Sequence, residues 1–361
     1  MSTPNLAFGA VSLAGLDPHR GGTKTYKAEL LRRQEYDTLL LGSSRTEVGI
    51  DPASEAWGTA TVFDASVPGT NMWETRQVLS FAMSRHTPTH VVLFADFLMF
   101  NDRRSTTGSF TRSRFSSDLN AIEYTLGNAL SLPTTRDSLR VLARRVYDTP
   151  GPLSRQGHRT RRAVDLGRDG SPISQVADHR RAFRSSLHIR RGGPAMYASM
   201  DYPNDRVDML REMVALCHER GITLTLVIPP MHALRLVILD AMGLWPSFER
   251  WKRDMVAAAG AVDRLEVWDF AYCHTWAAEA IPPADDTETR MEWWVDGGHF
   301  RPALGEVVLR RVLRRASAGA PTCGMELTAS NVQERLLDMR RSLDTYVATH
   351  PDEAAWVRGG D

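Results

Sequence analysis

Short apolar runs without polar alternation recur along the chain, each followed by a stretch of helical spacing. Tyr36-Asp-Thr-Leu-Leu-Leu-Gly42 ends in glycine and serine, which predicts a buried strand feeding a loop. Thr59 to Ala65 reads as a second strand. After Pro68-Gly69, the residues Trp73, Val78, Leu79 and Met83 share one face of a helix over Asn71 to Arg85. Val91-Val92-Leu93-Phe94-Ala95 predicts a third strand. Continuous apolar strands alternating with helices are what a parallel sheet covered on both faces requires.

Between Ser105 and Met200 this rhythm breaks. A helix-like part, Leu119 to Tyr147, is followed by a Gly- and Arg-rich stretch of weak periodicity, and the whole reads as an insertion. The βα pattern returns with a helix over Asp205 to Arg220, closed by Gly221, and a strand over Ile222 to Ile228 that Pro229-Pro230 stops. Leu265 to Phe270 predicts a further strand, Arg301 to Arg315 a closing helix and Asn331 to Ala348 a helical tail. The expected organisation is an N-terminal extension (1–35), a core in two parts (36–104 and 201–316) split by the insertion (105–200), and a C-terminal helical tail (317–361). With seven acids and four arginines from Met325 onward, the tail is expected at the surface, as an amphipathic helix or a dimer contact. The oligomeric state stays open.

Composition narrows the class. The 361 residues are 42% hydrophobic and 24% charged without a long biased tract, which excludes disordered, collagen-like and disulfide-scaffold readings. A net charge of +1 supplies no overall basic field for nucleic acid or an acidic membrane. Only three lysines, Lys24, Lys27 and Lys252, stand against 41 arginines, which reads as a coding bias. Cys217, Cys273 and Cys323 are odd in number and widely spaced, so buried free thiols are expected. No His-Glu-x-x-His or paired-Cys set occurs, and neither a metal nor another cofactor is expected. The apolar run Leu6 to Leu16 lacks a basic flank and is shorter than the ~20 residues of a span, so no membrane span and a cytoplasmic protein are expected, or a periplasmic one if the chain is truncated at its start.

Ten arginines between Arg155 and Arg191, against Asp165, Asp169 and Asp178, give a local net charge of +7. Such a patch suits an anionic polymer or a phosphate group, and equally a solvated loop paired with acids elsewhere. Only Phe183 interleaves it, so specific nucleic-acid binding is not expected. Asp178-His179, among these arginines, reads as a surface pair.

Two short segments carry chemistry. Leu41-Gly42-Ser43-Ser44-Arg45 stands at the carboxyl end of the first strand, where open α/β sheets bind their ligands, although a serine there is also an ordinary helix N-cap. The Gly-x-Ser-x-Gly elbow of α/β-hydrolases is absent from the chain. Asp296-Gly297-Gly298-His299 precedes the closing helix. An Asp three residues before a His can hold one ring N–H and leave the other nitrogen to take a proton, and a plain surface loop explains the same four residues.

In this order along the chain, the two segments resemble the SGNH (GDSL-like) hydrolase family, over Tyr36 to Asn101 and about Arg206 to Arg315. Leu40 to Glu47 with Ile50-Asp51-Pro52, and Ile228-Pro229-Pro230-Met231-His232, look like a bacterial SGNH-like branch related to polysaccharide O-acetyltransferases. The resemblance implies a three-layer α/β/α domain with a parallel sheet. It also implies acyl transfer to or from a small molecule or saccharide through an acyl-serine. The nucleophile would be Ser44, the orienting carboxylate Asp296 and the base His299. Ser44 and Gly69 N–H groups would form the oxyanion hole, with Asn71 or Asn101 adding a donor. A catalytically degenerate binding or scaffold protein on the same fold is the alternative.

This chain departs from the family pattern twice. Ser43 stands where the family usually has Asp, and Asp96 where it offers an Asn donor. An ionised carboxylate cannot donate, so Asp96 either points away, stays protonated or pairs with Arg45, and the pair is the expected arrangement. Arg45, Asp96, His232 and Trp294 are the substrate-side candidates, with Trp293 and Trp294 able to wall an acyl pocket or stack on a sugar. A satisfied loop histidine serves equally for His232. Asp269 is expected to cap the segment after its strand.

Overall fold

Leu39, Leu40 and Leu41 are buried on both faces because β1 (Thr38–Leu41) lies inside a six-stranded sheet. In this computed structural model the described residues are 23–116, 154, 156–158, 179–190, 193–194, 197–260, 262, 265–283, 286, 289–316 and 323–359. The Leu6 to Leu16 run, the Leu119 to Tyr147 helix, Asp178 and most of the Arg155 to Arg191 patch lie outside them.

The remaining strands are β2 (Val62–Asp64), β3 (His90–Phe94), β4 (Ile189–Arg190), β5 (Gly193–Pro194), β6 (Thr223–Ile228), β7 (Glu266–Asp269) and β8 (Met325–Leu327). β4 and β5 form a separate antiparallel ribbon. The others take the order β2-β1-β3-β6-β7-β8, parallel throughout except for β8, which runs antiparallel along β7 with Leu327 opposite Val267. The chain leaves β1 for β2 on one side and reaches β3 on the other. Strand order therefore reverses beside β1, which opens a crevice at the carboxyl ends of β1 and β3.

The helices are α1 (Thr23–Leu31), α2 (Ser44–Gly49), α3 (Met72–Met83), α4 (Gly108–Thr111), α5 (His179–Ser186), α6 (Arg206–Glu219), α7 (Ala233–Ala241), α8 (Trp245–Ala259), α9 (Pro302–Val312), α10 (Val332–Thr349) and α11 (Pro351–Gly359). α3, α6, α8 and α10 pack in succession, while α9 packs on α2. The result is a three-layer α/β/α domain. Among the described residues no helix is long and apolar enough to cross a membrane.

Helices α7 and α8 and strand β8 go unread in the sequence, and the tail departs from its expected place. α7 is buried along Ala233 to Leu239, Arg235 included, and a helix buried on every side lacks the stripe that marks amphipathic helices. β8 adds a strand ahead of the expected tail helix, which itself forms as α10 with Asn331 at its N-cap. The tail itself joins the core: α10 buries Leu336, Met339, Leu343 and Tyr346, and α11 buries Trp356 beneath the guanidinium groups of Arg180 and Arg184.

All three lysines are inside. Lys27 and Lys252 are 0% exposed and Lys24 is 7% exposed. Lys27 Nζ meets Glu47 at 2.9 Å and donates to the Ser66 carbonyl at 2.7 Å, which ties α1 to α2. Lys252 Nζ meets Asp269 at 2.6 Å and donates to the Ala271 carbonyl at 2.8 Å, and Lys24 donates to Thr107. Cys217 and Cys323 are buried and Cys273 is half-buried, and all three are free.

Candidate active site

Of the serine pair, it is the first residue that takes the helix N-cap role. Ser43 is the N-cap of α2: its Oγ accepts the Arg45 N–H at 3.3 Å, and its carbonyl accepts the Thr46 and Glu47 N–H groups at 3.1 Å each. That leaves the Ser44 hydroxyl for other work, and its Oγ lies 2.9 Å from His299 Nε2.

The loop that carries Asp296 and His299 is built as a tight excursion. Trp294 and Phe300 pair across its neck, and the Val295 N–H donates to the His299 carbonyl at 2.9 Å. Inside the loop, Asp296 Oδ1 accepts the Gly298 and His299 N–H groups at 2.6 and 2.9 Å, and both carboxylate oxygens lie 3.1 Å from His299 Nδ1. Burial pushes the Asp296 carboxyl up, but His299 and the two N–H groups together hold it below its ordinary value. Asp296 is thus a carboxylate that accepts the Nδ1 proton and leaves the Nε2 lone pair facing the Ser44 hydroxyl. The neck is fixed by Glu279, whose carboxylate accepts N–H groups from Glu292, Trp293 and Trp294 at 2.5, 3.0 and 3.1 Å. Sequence gives no sign of that role.

Asp96 pairs with Arg45. Arg45 Nη1 donates to Asp96 Oδ2 at 2.7 Å, and both residues are buried. Arg235, on α7, places Nη2 3.8 Å from Asp96 Oδ1, which also accepts the Leu98 N–H at 3.1 Å. Burial raises the Asp96 carboxyl, but the two guanidinium groups outweigh it and hold the group far below the carboxylate range. A carboxylate so engaged is not an oxyanion donor.

Ser44 and His299 open into a cavity of about 390 Å³, which Arg45, Gly69, Asp96 and Asn101 also line. Gly69 has φ +73, a left-handed conformation that favours glycine, and its carbonyl accepts Arg104 Nε at 3.1 Å. The Ser44 and Gly69 N–H groups donate to no acceptor among the described residues. Asn71 is elsewhere: it caps α3 by accepting the Glu74 N–H at 2.9 Å, and its amide donates to the Arg104 carbonyl at 3.0 Å. Asn101 is the amide on the cavity, with Oδ1 accepting the Arg103 and Asp201 N–H groups at 3.2 and 3.0 Å.

His232 and Trp294 lie behind the cavity wall. His232 caps α7, accepts the Leu234 N–H at 3.3 Å and donates from Nε2 to the Glu279 carbonyl at 3.0 Å. Its ring meets Phe183 and Trp294 edge-on at 4.9 and 5.2 Å, and burial pushes its pKa down to about 4. The Trp294 indole N–H donates to the Trp276 carbonyl at 2.7 Å. Both side chains pack behind the loop that carries Asp296 and His299, and neither lines the cavity. Asp269 caps as expected, accepting the Ala271 N–H at 2.9 Å, whereas His179 is buried, with Nε2 2.9 Å from the Thr289 carbonyl, and is no surface residue.

Arginines went unread: Arg104 and Arg235 both line the cavity, and Arg235 Nε donates to the Tyr197 hydroxyl at 2.8 Å. Among the described residues no group of three or more His, Cys, Asp or Glu side chains is arranged to hold a metal ion. A comparison with family models and with curated proteins returns no match, so the site is read from its own geometry.

Proposed function

We propose that this chain is a serine acyl-transfer enzyme of the SGNH type. The observation that carries the reading is the continuous relay from Ser44 Oγ to His299 Nε2 at 2.9 Å and from His299 Nδ1 to Asp296 at 3.1 Å, beside an open cavity. Ser44 Oγ attacks the acyl carbonyl while its proton passes to His299 Nε2, and the imidazolium is stabilised by Asp296. The oxyanion that develops is met by the Ser44 and Gly69 N–H groups. Collapse breaks the bond to the leaving oxygen, which takes the proton from His299 and leaves an acyl-Ser44. A second hydroxyl group then gives its proton to His299, attacks the acyl carbonyl and releases Ser44. Water as that acceptor makes the protein an esterase or deacetylase, and a sugar or small-molecule hydroxyl makes it an O-acyltransferase.

A second reading, a binding protein that kept the fold without turnover, is favoured by Asp96, which stands where the family's side-chain donor would. Intact-mass analysis after exposure to a fluorophosphonate separates the two. The enzyme reading expects one adduct, mapped to Ser44 and lost in His299→Ala. A folded protein with no serine adduct would favour the binding protein.

A further inference from the structure

Three guanidinium groups line the cavity, and two of them are engaged within the protein. Arg45 binds Asp96 and donates to the Pro230 carbonyl, while Arg235 faces Asp96 and donates to Tyr197. Arg104 differs. Its Nε donates to the Gly69 carbonyl, and among the described residues no carboxylate pairs with it and neither Nη group makes a hydrogen bond. Its main chain is held as well, because its N–H donates to the Asn101 carbonyl at 3.1 Å and its carbonyl accepts the Asn71 amide at 3.0 Å. The guanidinium is therefore placed before any ligand arrives, with its two terminal nitrogens left over.

A guanidinium held through Nε presents its remaining N–H groups as a fork that matches two oxygens of a carboxylate or phosphate. Arg104 Nη2 lies 3.4 Å from the point a side chain on Gly69 would occupy, which puts the fork beside the proposed oxyanion N–H. Pre-positioning also lowers the ordering cost of binding. Asp96, the carboxylate in the lining, is already shared by Arg45 and Arg235, so among the described lining residues no carboxylate is left for Arg104.

From this we infer that the cavity selects acyl substrates carrying an anionic oxygen group, a carboxylate or a phosphate, held by Arg104. The inference rests on the acyl-transfer reading and names its substrate class.

The test uses phenyl acetates that differ in one substituent: 4-acetoxybenzoate, 4-acetoxyphenyl phosphate and the neutral methyl 4-acetoxybenzoate. The expected preference in kcat/KM for an anionic ester is about tenfold or more, the scale of one charge-assisted hydrogen-bonded contact. It should shrink in Arg104→Gln through KM and return in part in Arg104→Lys, and the two anionic esters tell carboxylate from phosphate. A second arm needs no turnover: calorimetric titration of the Ser44→Ala protein with benzoate, phenyl phosphate and benzamide. Binding of either anion but not of benzamide, weakened when Arg104→Gln is added and the melting curve shows a folded protein, supports the inference. If that binding appears while no ester is turned over, Arg104 keeps its role and the acyl-transfer reading falls. Equal use of neutral and anionic esters overturns the inference. So does a loss of kcat in Arg104→Gln that is the same for both ester types, which would make Arg104 an oxyanion donor.

Discussion

Gly305 and Gly49 touch backbone to backbone: a methyl group on Gly305 would overlap the Gly49 carbonyl oxygen, and one on Gly49 would overlap the Phe300 ring. Gly49 ends the helix that Ser44 begins, and Gly305 lies in the first turns of the helix that follows His299. This contact sets how far α2, with Ser44, stands from the loop that carries Asp296 and His299. Gly305→Ala should push the two apart, costing about 1–3 kcal/mol of stability as overpacking does, and should lower kcat well beyond what that loss explains. Denaturant melts beside steady-state kinetics test it. A variant with parental kcat would place the control of the Ser44 to His299 spacing elsewhere.

Ser44→Ala and His299→Ala should each remove nearly all turnover while leaving the melting temperature within a few degrees, since both side chains are half-buried and border the cavity. Asp296→Asn should lose somewhat less. Because the groups act as one unit, the Ser44/His299 double variant should be scarcely worse than either single one. Additive losses in kcat would dissolve the relay.

The Arg45 and Asp96 pair predicts a stability effect. Removing one member of a buried pair strands the other, so Arg45→Ala should cost about 3–5 kcal/mol, measured by chemical denaturation. Asp96→Asn should be milder, because an amide still accepts the Leu98 N–H and the two guanidinium groups keep the Pro230 and Tyr197 oxygens. It should bring no gain in turnover. A rise of about tenfold or more would instead mean that position 96 faces the oxyanion, since one regained donor has that scale or greater.

His232 predicts a pH dependence of stability. Burial lowers its pKa to about 4 in the folded chain, against about 6.5 in an unfolded one. Between those values the unfolded chain binds the extra proton, so the contribution is complete above about pH 6.5 and is lost as pH falls towards 4, up to about 3 kcal/mol in all. His232→Gln should flatten that part of the curve of unfolding free energy against pH. An unchanged slope would assign it to other groups.

Much of the frame is legible because burial on both faces writes itself as uninterrupted apolar runs: Leu39 to Leu41, Val91 to Phe94 and Leu226 to Ile228 all lie in sheet strands. Burial on every side hides α7 too, where apolar residues at almost every position leave no helical period. Asp296 and His299 are legible because their whole geometry fits within one loop. His232 is not, since whether a histidine meets substrate or an aromatic wall depends on Phe183 and Trp294, which are distant in sequence. Arg104 and Arg235 are hidden for another reason: among 41 arginines, a single one carries almost no information until its acid, or the lack of one, is seen in space.

The enclosed lysines bear on how this protein reacts with reagents. Acylating agents such as succinimidyl esters attack neutral, accessible amines, and here every side-chain ammonium is sealed inside and held by carboxylate, hydroxyl or carbonyl oxygens. Apart from its terminal amine, the folded chain offers such a reagent no exposed amine, and the acyl group that Ser44 would take is removed by using the Ser44→Ala protein, while an opened chain offers three further sites. The number of acyl groups taken up, read by mass spectrometry, therefore counts openings of the core directly, with no dye and no engineered cysteine.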